Sequence, residues 1–265
     1  MLFRSAADPI NRKLGSGGGT AHLLVSAWRA TGHGLTFNDW LAASPKLIVH
    51  GGGQSRRLPA YAAVGKPLLP IPVLRWSRGQ RLNQTLLDLQ VPAYERILRA
   101  GSHPVLVTSG DVLLRFHHQL PTFPKADVVA AGMWVTAECA SHFGVFCLPR
   151  NNPSRLAFFL QKPGVSQIRQ LSADYLCPVD TGMWLLSSRA VALLLAKSGW
   201  DDRRQVFAEG DASTFDLYGE FGYALGSNPT RPDPDITSLS CAVVPLPDRS
   251  EERRVGKECR YRWSQ

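Results

Sequence analysis

The sequence predicts an α/β fold built on a mainly parallel sheet with helices on both faces. Three observations carry that expectation. Short apolar runs of strand length recur along the chain, bounded by Pro and Gly. Segments with helical spacing alternate with them, as βαβ units require. Polar and charged residues follow several of the runs directly, at the strand ends where open sheets of this kind bind ligands. A chain of 265 residues is long enough for one such domain with insertions.

Residues 1–20 end in "KLGSGGGT", read as a glycine loop. "AHLLVSAWRA" then has helical spacing and stops at "TGHG", where glycines suit a helix end. "FNDWLAAS" is a short helical segment, and "PKLIVH" is a buried strand that runs into a stretch rich in glycine and arginine. "QTLLDLQVPAYERILRAG" has helical periodicity that Pro92 interrupts. "HPVLVTSGD" reads as the second strand, "ADVVAAGMWV" as the third, "HFGVFCLP" as the fourth and "RLAFFLQKP" as the fifth. "VDTGMWLLSSRAVALLLAKSG" reads as strand, turn and helix, "TFDLYGEFGYALG" as loop and helix, and "SLSCAVVPLP" as the last strand. There is no internal repeat and no long low-complexity tract.

The composition, 44% hydrophobic and 19% charged, is that of a globular protein. No apolar run approaches the roughly 18–20 residues that span a bilayer, and the start "MLFRSAADPIN" lacks the apolar core of a signal peptide. A cytoplasmic location with no membrane partner is expected. The cysteines Cys139, Cys147, Cys177, Cys241 and Cys259 contain no C-x-x-C pair, so neither zinc-ligand spacing nor a disulfide framework is expected. They read as reduced thiols.

The formal charge of +9 points to an anionic partner, but the end of the chain changes its weight. Residues 249–265, "RSEERRVGKECRYRWSQ", open with ten letters that are one frame of a common sequencing adapter, AGATCGGAAGAGCGTCGTGTAGGGAAAGAG. We read 1–248 as the domain and 249–265 as a non-native tail. Without the tail's six Lys/Arg and three Glu the charge falls to +6. Nucleic acid therefore loses much of its support as a partner, and no aromatic-rich recognition box accompanies the charge.

The chemistry concentrates after the strand candidates. In "HGGGQSRRLPAYAAVGKPLLP" (residues 50–70), Gly51, Gly52 and Gly53 let a backbone approach an anion and offer it successive N–H groups. Arg56 or Arg57 adds forked donors and Lys66 a point charge. The alternative is a tight strand-exit turn with solvated arginines. The spacing is not that of a Walker-type loop. Asp111 in "VTSGDV" stands where a carboxylate can hold Mg²⁺ or cap a turn. Lys162 in "FLQKP" can neutralise a second phosphate or lie on the surface. Asp180, Asp216 and Glu220 are further carboxylates near strand ends or loops, and Asp216 is equally an N-cap for "LYGEFGYAL".

Taken in order, "GGGQSRRLP", "GKPLLP", "SGD", "QKP" and "DTGMW" resemble the landmarks of sugar-1-phosphate nucleotidyltransferases. Longer stretches are similar to the guanylyltransferase part of bifunctional L-fucokinase/GDP-L-fucose pyrophosphorylases: "DPINRKLGSGGGT", "RWSRGQRLNQTLLDLQVPAYERI", "ADVVAAGMWV", "DTGMWLLS" and "FDLYGEFGYALG". The resemblance covers residues 8–247. It implies a Rossmann-like nucleotidyltransferase fold with a mixed, mainly parallel sheet, cut before a β-helical region. That region and a sugar kinase region would be its natural partners in cis. It also implies that GTP and L-fucose 1-phosphate are converted, with Mg²⁺, to GDP-L-fucose and pyrophosphate.

Carried onto this sequence, the resemblance assigns Arg57 and the backbone of Gly51, Gly52 and Gly53 to the triphosphate, and Lys66 to the leaving pyrophosphate. Asp111 would hold the metal with Asp180 or Asp216. Lys162 would meet the sugar phosphate, with His142 and Gly144 beside the sugar. Gly15, Ser16, Gly17 and Gly18 would cover the nucleotide, and Gln54, Asn83 or Gln84 would read the base. Two other readings stay open: a uridylyl- or guanylyltransferase for another sugar 1-phosphate, and a nucleotide-binding module without turnover.

Overall fold

A computed structural model describes residues 4–51, 65–71, 83–115, 120–246 and 251–254. Helices α1 (Gly15–Thr31) and α2 (Phe37–Ala43) precede strand β1 (Lys46–His50). A 3-10 turn (Lys66–Leu68) leads to α3 (Leu86–Ala100), followed by β2 (Val105–Ser109), β3 (Val112–Arg115) and β4 (Val128–Met133). Next come α4 (Ala137–Ala140), β5 (Gly144–Pro149), β6 (Phe158–Gln161), α5 (Val165–Leu171), β7 (Tyr175–Leu176), β8 (Val179–Leu186) and α6 (Ser188–Lys197). The short strands β9 (Trp200–Asp201) and β10 (Val206–Phe207) precede a π turn (Leu217–Phe221), α7 (Pro234–Thr237), β11 (Cys241–Pro245) and β12 (Glu251–Arg254).

The central sheet has the order β1-β2-β8-β4-β11. β1 and β2 pair in parallel, as do β4 and β11, whereas β8 lies antiparallel to both β2 and β4. Four of the five central strands thus point the same way, in keeping with the expected mixed α/β sheet. A reversed strand sits in their middle. β5 pairs antiparallel with β6, β7 and the start of β8, forming an arm off the sheet. β12, within the tail read as non-native, pairs antiparallel with β3.

Every residue of β8 is buried, and its side chains alternate between two cores. Trp184 and Leu186 enter a large core with α1, α2 and α6, built around Leu24, Leu41, Leu194, Phe146 and Phe159. Met183 and Leu185 enter a second core with Tyr94, Ile97 and Leu98 of α3. Both faces of the sheet are therefore covered, which explains why this strand reads as one continuous apolar run. A third core lies under the β5–β6–β7 arm.

Two elements differ from expectation. The glycine box is not a loop: α1 begins at Gly15 and takes Gly17, Gly18 and Gly19 into its first turns. Glycine costs about 1 kcal/mol against Ala inside a helix, so packing has to compensate. The N–H groups of Gly17 and Gly18 donate to the Phe215 carbonyl at 2.9 and 3.0 Å. A Cβ at Gly18 would stand 2.4 Å from the Ser213 carbonyl oxygen. The glycines let the helix lie against the 213–217 backbone, closer than any side chain permits. The second difference is α3, which continues through Pro92. It starts on a capping box, with Thr85 and Asp88 bonded to each other's backbone N–H. Its buried face, Leu86, Gln90, Tyr94, Ile97 and Leu98, holds the helix across the missing donor.

Among the described residues no helix is long and apolar enough to cross a membrane.

Candidate active site at the strand ends

β1 and β2 finish side by side, with His50 opposite Ser109. Beyond them a cavity of about 220 Å³ is lined by Ser16, His50, Lys66, Ser109, Asp111 and Tyr218. Lys66 opens the 3-10 turn behind Gly65, whose φ of +79° favours glycine. Its Nζ donates to Asp111 Oδ2 at 2.7 Å, and Ser109 Oγ donates to Asp111 Oδ1 at 2.7 Å.

Asp111 stands in the turn from β2 to β3. Gly110 N–H donates to the His50 carbonyl at 2.9 Å, and a Cβ at Gly110 would lie 2.6 Å from that same oxygen. From α3, the buried Gln90 Nε2 donates to the carbonyls of Gly110 (3.3 Å) and Val112 (2.5 Å), the residues on either side of Asp111. Gln90 Oε1 is buried without a hydrogen-bond partner among the described residues. Desolvating an amide oxygen in this way costs about 1–3 kcal/mol, a cost borne where the carboxylate's backbone is fixed.

The opposite wall comes from α1 and the π turn. Ser16 Oγ donates to Asp216 Oδ2 at 3.2 Å and accepts from Leu217 N–H at 2.8 Å. Asp216 Oδ1 accepts from the N–H groups of Tyr218 (2.9 Å) and Gly219 (2.5 Å), so this residue does cap the turn. Thr20 gives its one hydroxyl hydrogen to the Ser16 carbonyl at 2.7 Å. Its 2.8 Å contact with His50 Nε2 therefore requires that nitrogen to be the donor. Burial pushes the His50 pKa down to about 4 against the pull of Asp216, and the ring is neutral at pH 7.

Of the residues singled out in the sequence, Ser16, Lys66 and Asp111 meet at the cavity, with Asp216 directly behind Ser16. Gly51 packs beside Pro67. Gly15 has φ +72° and abuts the Phe215 carbonyl, and the N–H groups of Gly17 and Gly18 are engaged by that oxygen. A covering loop made of this box is thus replaced by a helix start that carries Ser16 into the wall. Gln84 is buried just before α3, its Oε1 without a hydrogen-bond partner among the described residues. Gly52, Gly53, Gln54 and Arg57 lie outside the described residues.

Lys162, His142, Gly144 and Asp180 form a separate group on the arm and do not line the cavity. Gly144 opposes Gln161, and the N–H of Lys162 donates to the Phe143 carbonyl at 2.9 Å. Lys162 holds φ +49°, an uncommon conformation for a side-chain-bearing residue. Asp180 is buried, and its Oδ1 accepts from Gly182 N–H at 2.8 Å and Trp184 Nε1 at 3.0 Å.

Mg²⁺ takes one or two protein carboxylates and fills its shell with water and phosphate oxygens. Among the described residues one carboxylate, Asp111, lines the cavity, and it fits an ion that arrives with a polyphosphate. Among the described residues no cluster of three or more His, Cys, Asp or Glu forms a metal cage. A cation, a carboxylate and hydroxyls around a small recess suit the holding of phosphate groups rather than covalent catalysis.

His50, Ser109, Tyr218 and Gln90 were not singled out from the sequence. The first two are the last residues of neighbouring parallel strands, so the strand-end rule was a signal for them. Nothing in the sequence marks Tyr218 or Gln90.

The model of the fucose pyrophosphorylase domain matches residues 38–233. An L-fucokinase/L-fucose-1-P guanylyltransferase of Bacteroides fragilis is 44% identical over 243 residues, 91% of this chain and 25% of that protein. A bifunctional fucokinase/GDP-fucose pyrophosphorylase of Arabidopsis thaliana is 24% identical over 215 residues, 71% of this chain and 20% of that protein. The chain thus spans a quarter or less of the length of these relatives. The crystal structure of a mannose-1-phosphate geranyltransferase from Thermus thermophilus aligns at 17% identity and a TM-score of 0.34, over 57% of this chain and 46% of that one.

Proposed function

The chain belongs to the fucose pyrophosphorylase domain family, and from that premise we propose that it is a guanylyltransferase joining GTP and L-fucose 1-phosphate into GDP-L-fucose with release of pyrophosphate. The observation that carries the reading is the Lys66–Asp111 pair set among polar side chains at the carboxyl ends of β1 and β2.

In this reading an oxygen of the sugar phosphate attacks the α-phosphorus in line and pyrophosphate leaves from the opposite side. The protein forms no covalent bond; it positions the reactants and neutralises charge. Lys66, paired with Asp111, turns its ammonium to the leaving pyrophosphate. Ser16 and Ser109 offer hydroxyls within the recess. Arg57 and the Gly51, Gly52 and Gly53 backbone take the remaining triphosphate charge, and Lys162, fixed in its left-handed turn, takes the sugar phosphate. The buried Gln84, whose carbonyl oxygen has no partner among the described residues, is the candidate for contact with the base. Mg²⁺, when bound through Asp111, would neutralise phosphate charge; Asp216, whose two oxygens cap the turn and take the Ser16 hydroxyl, would support that wall rather than hold the ion. The names of the relatives join this activity to a fucokinase, and we assign the intact protein a sugar kinase region, a β-helical region and a cytoplasmic location.

The test is the thermal stability of the chain with Mg²⁺ and, separately, GTP, GDP-L-fucose, UTP and UDP-glucose. A ligand at 100 times its Kd adds about 2.7 kcal/mol to native stability. Stabilisation by the guanine ligands, strongest with GDP-L-fucose, is the expected result. Stabilisation by the uridine ligands alone would assign the site to a uridylyltransferase acting on another sugar phosphate.

A further inference from the structure

Two cysteines outside the cavity stand face to face. β5 and β7 pair with Leu148 opposite Leu176 and Pro149 opposite Tyr175, and β5 meets β8 with Val145 opposite Val179. The same register holds on both sides of residues 177 and 178, which sets Cys147 opposite Cys177. The N–H of Phe146 donates to the Pro178 carbonyl at 2.9 Å, which makes 146/178 a hydrogen-bonded pair. The alternation of an antiparallel ladder then makes 147/177 a non-hydrogen-bonded pair, with Cα atoms about 4.5 Å apart and side chains at their closest. A disulfide needs Cα atoms roughly 4.4–6.8 Å apart. A non-hydrogen-bonded pair of this kind falls within that range.

We propose that Cys147 and Cys177 are a modification site, a dithiol that a small disulfide of the glutathione class oxidises to an intramolecular disulfide. Both are reduced thiols here. They differ in access: Cys147 is fully buried in the third core, while Cys177 is half-buried beside it. The hydrogen bond from the Cys147 thiol, aided by the Arg150 guanidinium, holds the Cys177 pKa down to about 7 against the effect of burial. The same bond and burial push the Cys147 thiol up. Cys177 is thus the attacking sulfur and Cys147 the resolving one.

The balance closes on those two residues and one co-reactant. The Cys177 thiolate attacks one sulfur of the small disulfide; its S–S bond breaks and one small thiolate leaves and takes up a proton. The Cys147 sulfur then loses its proton, attacks Cys177 Sγ and expels the second small thiol. Two protein thiols are oxidised by two electrons, and one small disulfide is reduced to two thiols. The covalent loop so closed contains β6, Lys162, α5 and β7. It therefore bears on the arm that carries the positive-φ lysine, whatever reaction the cavity performs.

The experiment equilibrates the full chain in mixtures of oxidised and reduced glutathione, quenches with an alkylating agent and maps the peptides by mass spectrometry. The expected result is one linked peptide joining Cys147 to Cys177, the two thiols disappearing together as the mixture becomes more oxidising. In Cys147→Ser, Cys177 should accumulate as the glutathione adduct, and in Cys177→Ser, Cys147 should stay reduced. A wild-type chain in which Cys177 stops at the glutathione adduct would overturn the proposal. So would one in which either cysteine links elsewhere, or in which both remain alkylatable in fully oxidised glutathione.

Discussion

Two lysine–aspartate pairs in this chain are nearly the same object by local geometry. Lys66 and Asp111 meet at 2.7 Å with side chains 26% and 23% exposed; Lys197 and Asp233 meet at 2.6 Å with side chains 28% and 30% exposed. Their surroundings differ. Lys197 stands in the last turn of α6, where a cation favours the helix end. Asp233 caps α7 by accepting from the N–H groups of Asp235 and Ile236. That pair clasps one helix to the next. Lys66 and Asp111 come from two turns, open onto a cavity, and are backed by a buried glutamine whose carbonyl oxygen has no partner among the described residues. An ion pair's distance and exposure do not mark a site. Convergence on a recess, with support maintained at a cost in stability, does.

The largest test of that contrast is turnover. Lys66→Ala and Asp111→Asn should each lower pyrophosphate release by about 10²-fold or more, the usual scale for losing a charge-stabilising group. Lys197→Ala should leave it within about twofold. Equal losses at both pairs, by a coupled pyrophosphate assay, would erase the distinction.

A smaller effect sharpens the cavity side. Gly18→Ala places a Cβ 2.4 Å from the Ser213 carbonyl oxygen and should cost about 1–3 kcal/mol, the usual penalty of overpacking. Denaturant unfolding reads that loss. Because α1 carries Ser16 into the cavity wall, nucleotide affinity should weaken with it.

The smallest effect belongs to the clasp. Lys197→Ala should cost less than about 1 kcal/mol, and the loss should depend on pH. Burial alone would raise the Asp233 carboxyl, but Lys197 and the backbone N–H groups of Ile236 and Asp235 outweigh it and hold it below 3.8. The Asp233 and Asp235 carboxylates hold the Lys197 amine above 10.5. A depressed carboxyl contributes stability that is complete above its unfolded pKa and disappears as pH falls through the folded one. The raised amine contributes below 10.5 and fades as pH rises through its folded value. Urea unfolding at pH 7 should therefore separate wild type from variant, and the gap should narrow as pH falls below 3.8.

Much of the fold was legible because burial leaves a pattern. "KLIVH", "VLVTS" and "VDTGMWLL" are apolar runs bounded by Pro, Gly or Ser, and each became a strand. Strand direction leaves no such trace, so the reversal of β8 was not legible. The short α4, α5 and α7 carry too few turns to show a period. "GSGGGT" was misread because intrinsic propensity puts glycine in loops, whereas contact with the Phe215 and Ser213 backbone decides here. At the cavity, Lys66 and Asp111 were legible as charges placed after strands. Gln90 and Tyr218 were not, since a residue that works by reaching across from α3 or the π turn has no local signature.

The reversed strand has a temporal consequence. β2 and β4, complete by residue 133, do not touch each other in the sheet; β8 lies between them, and its last residue is 186. On a ribosome the first half of the sheet waits with two open edges for a strand encoded some fifty residues later. Such a high-contact-order nucleus folds slowly and leaves bonding edges exposed meanwhile. The centre of the molecule is the last part of its middle to be assembled, and nascent chains stalled before β8 should be the ones that chaperones hold.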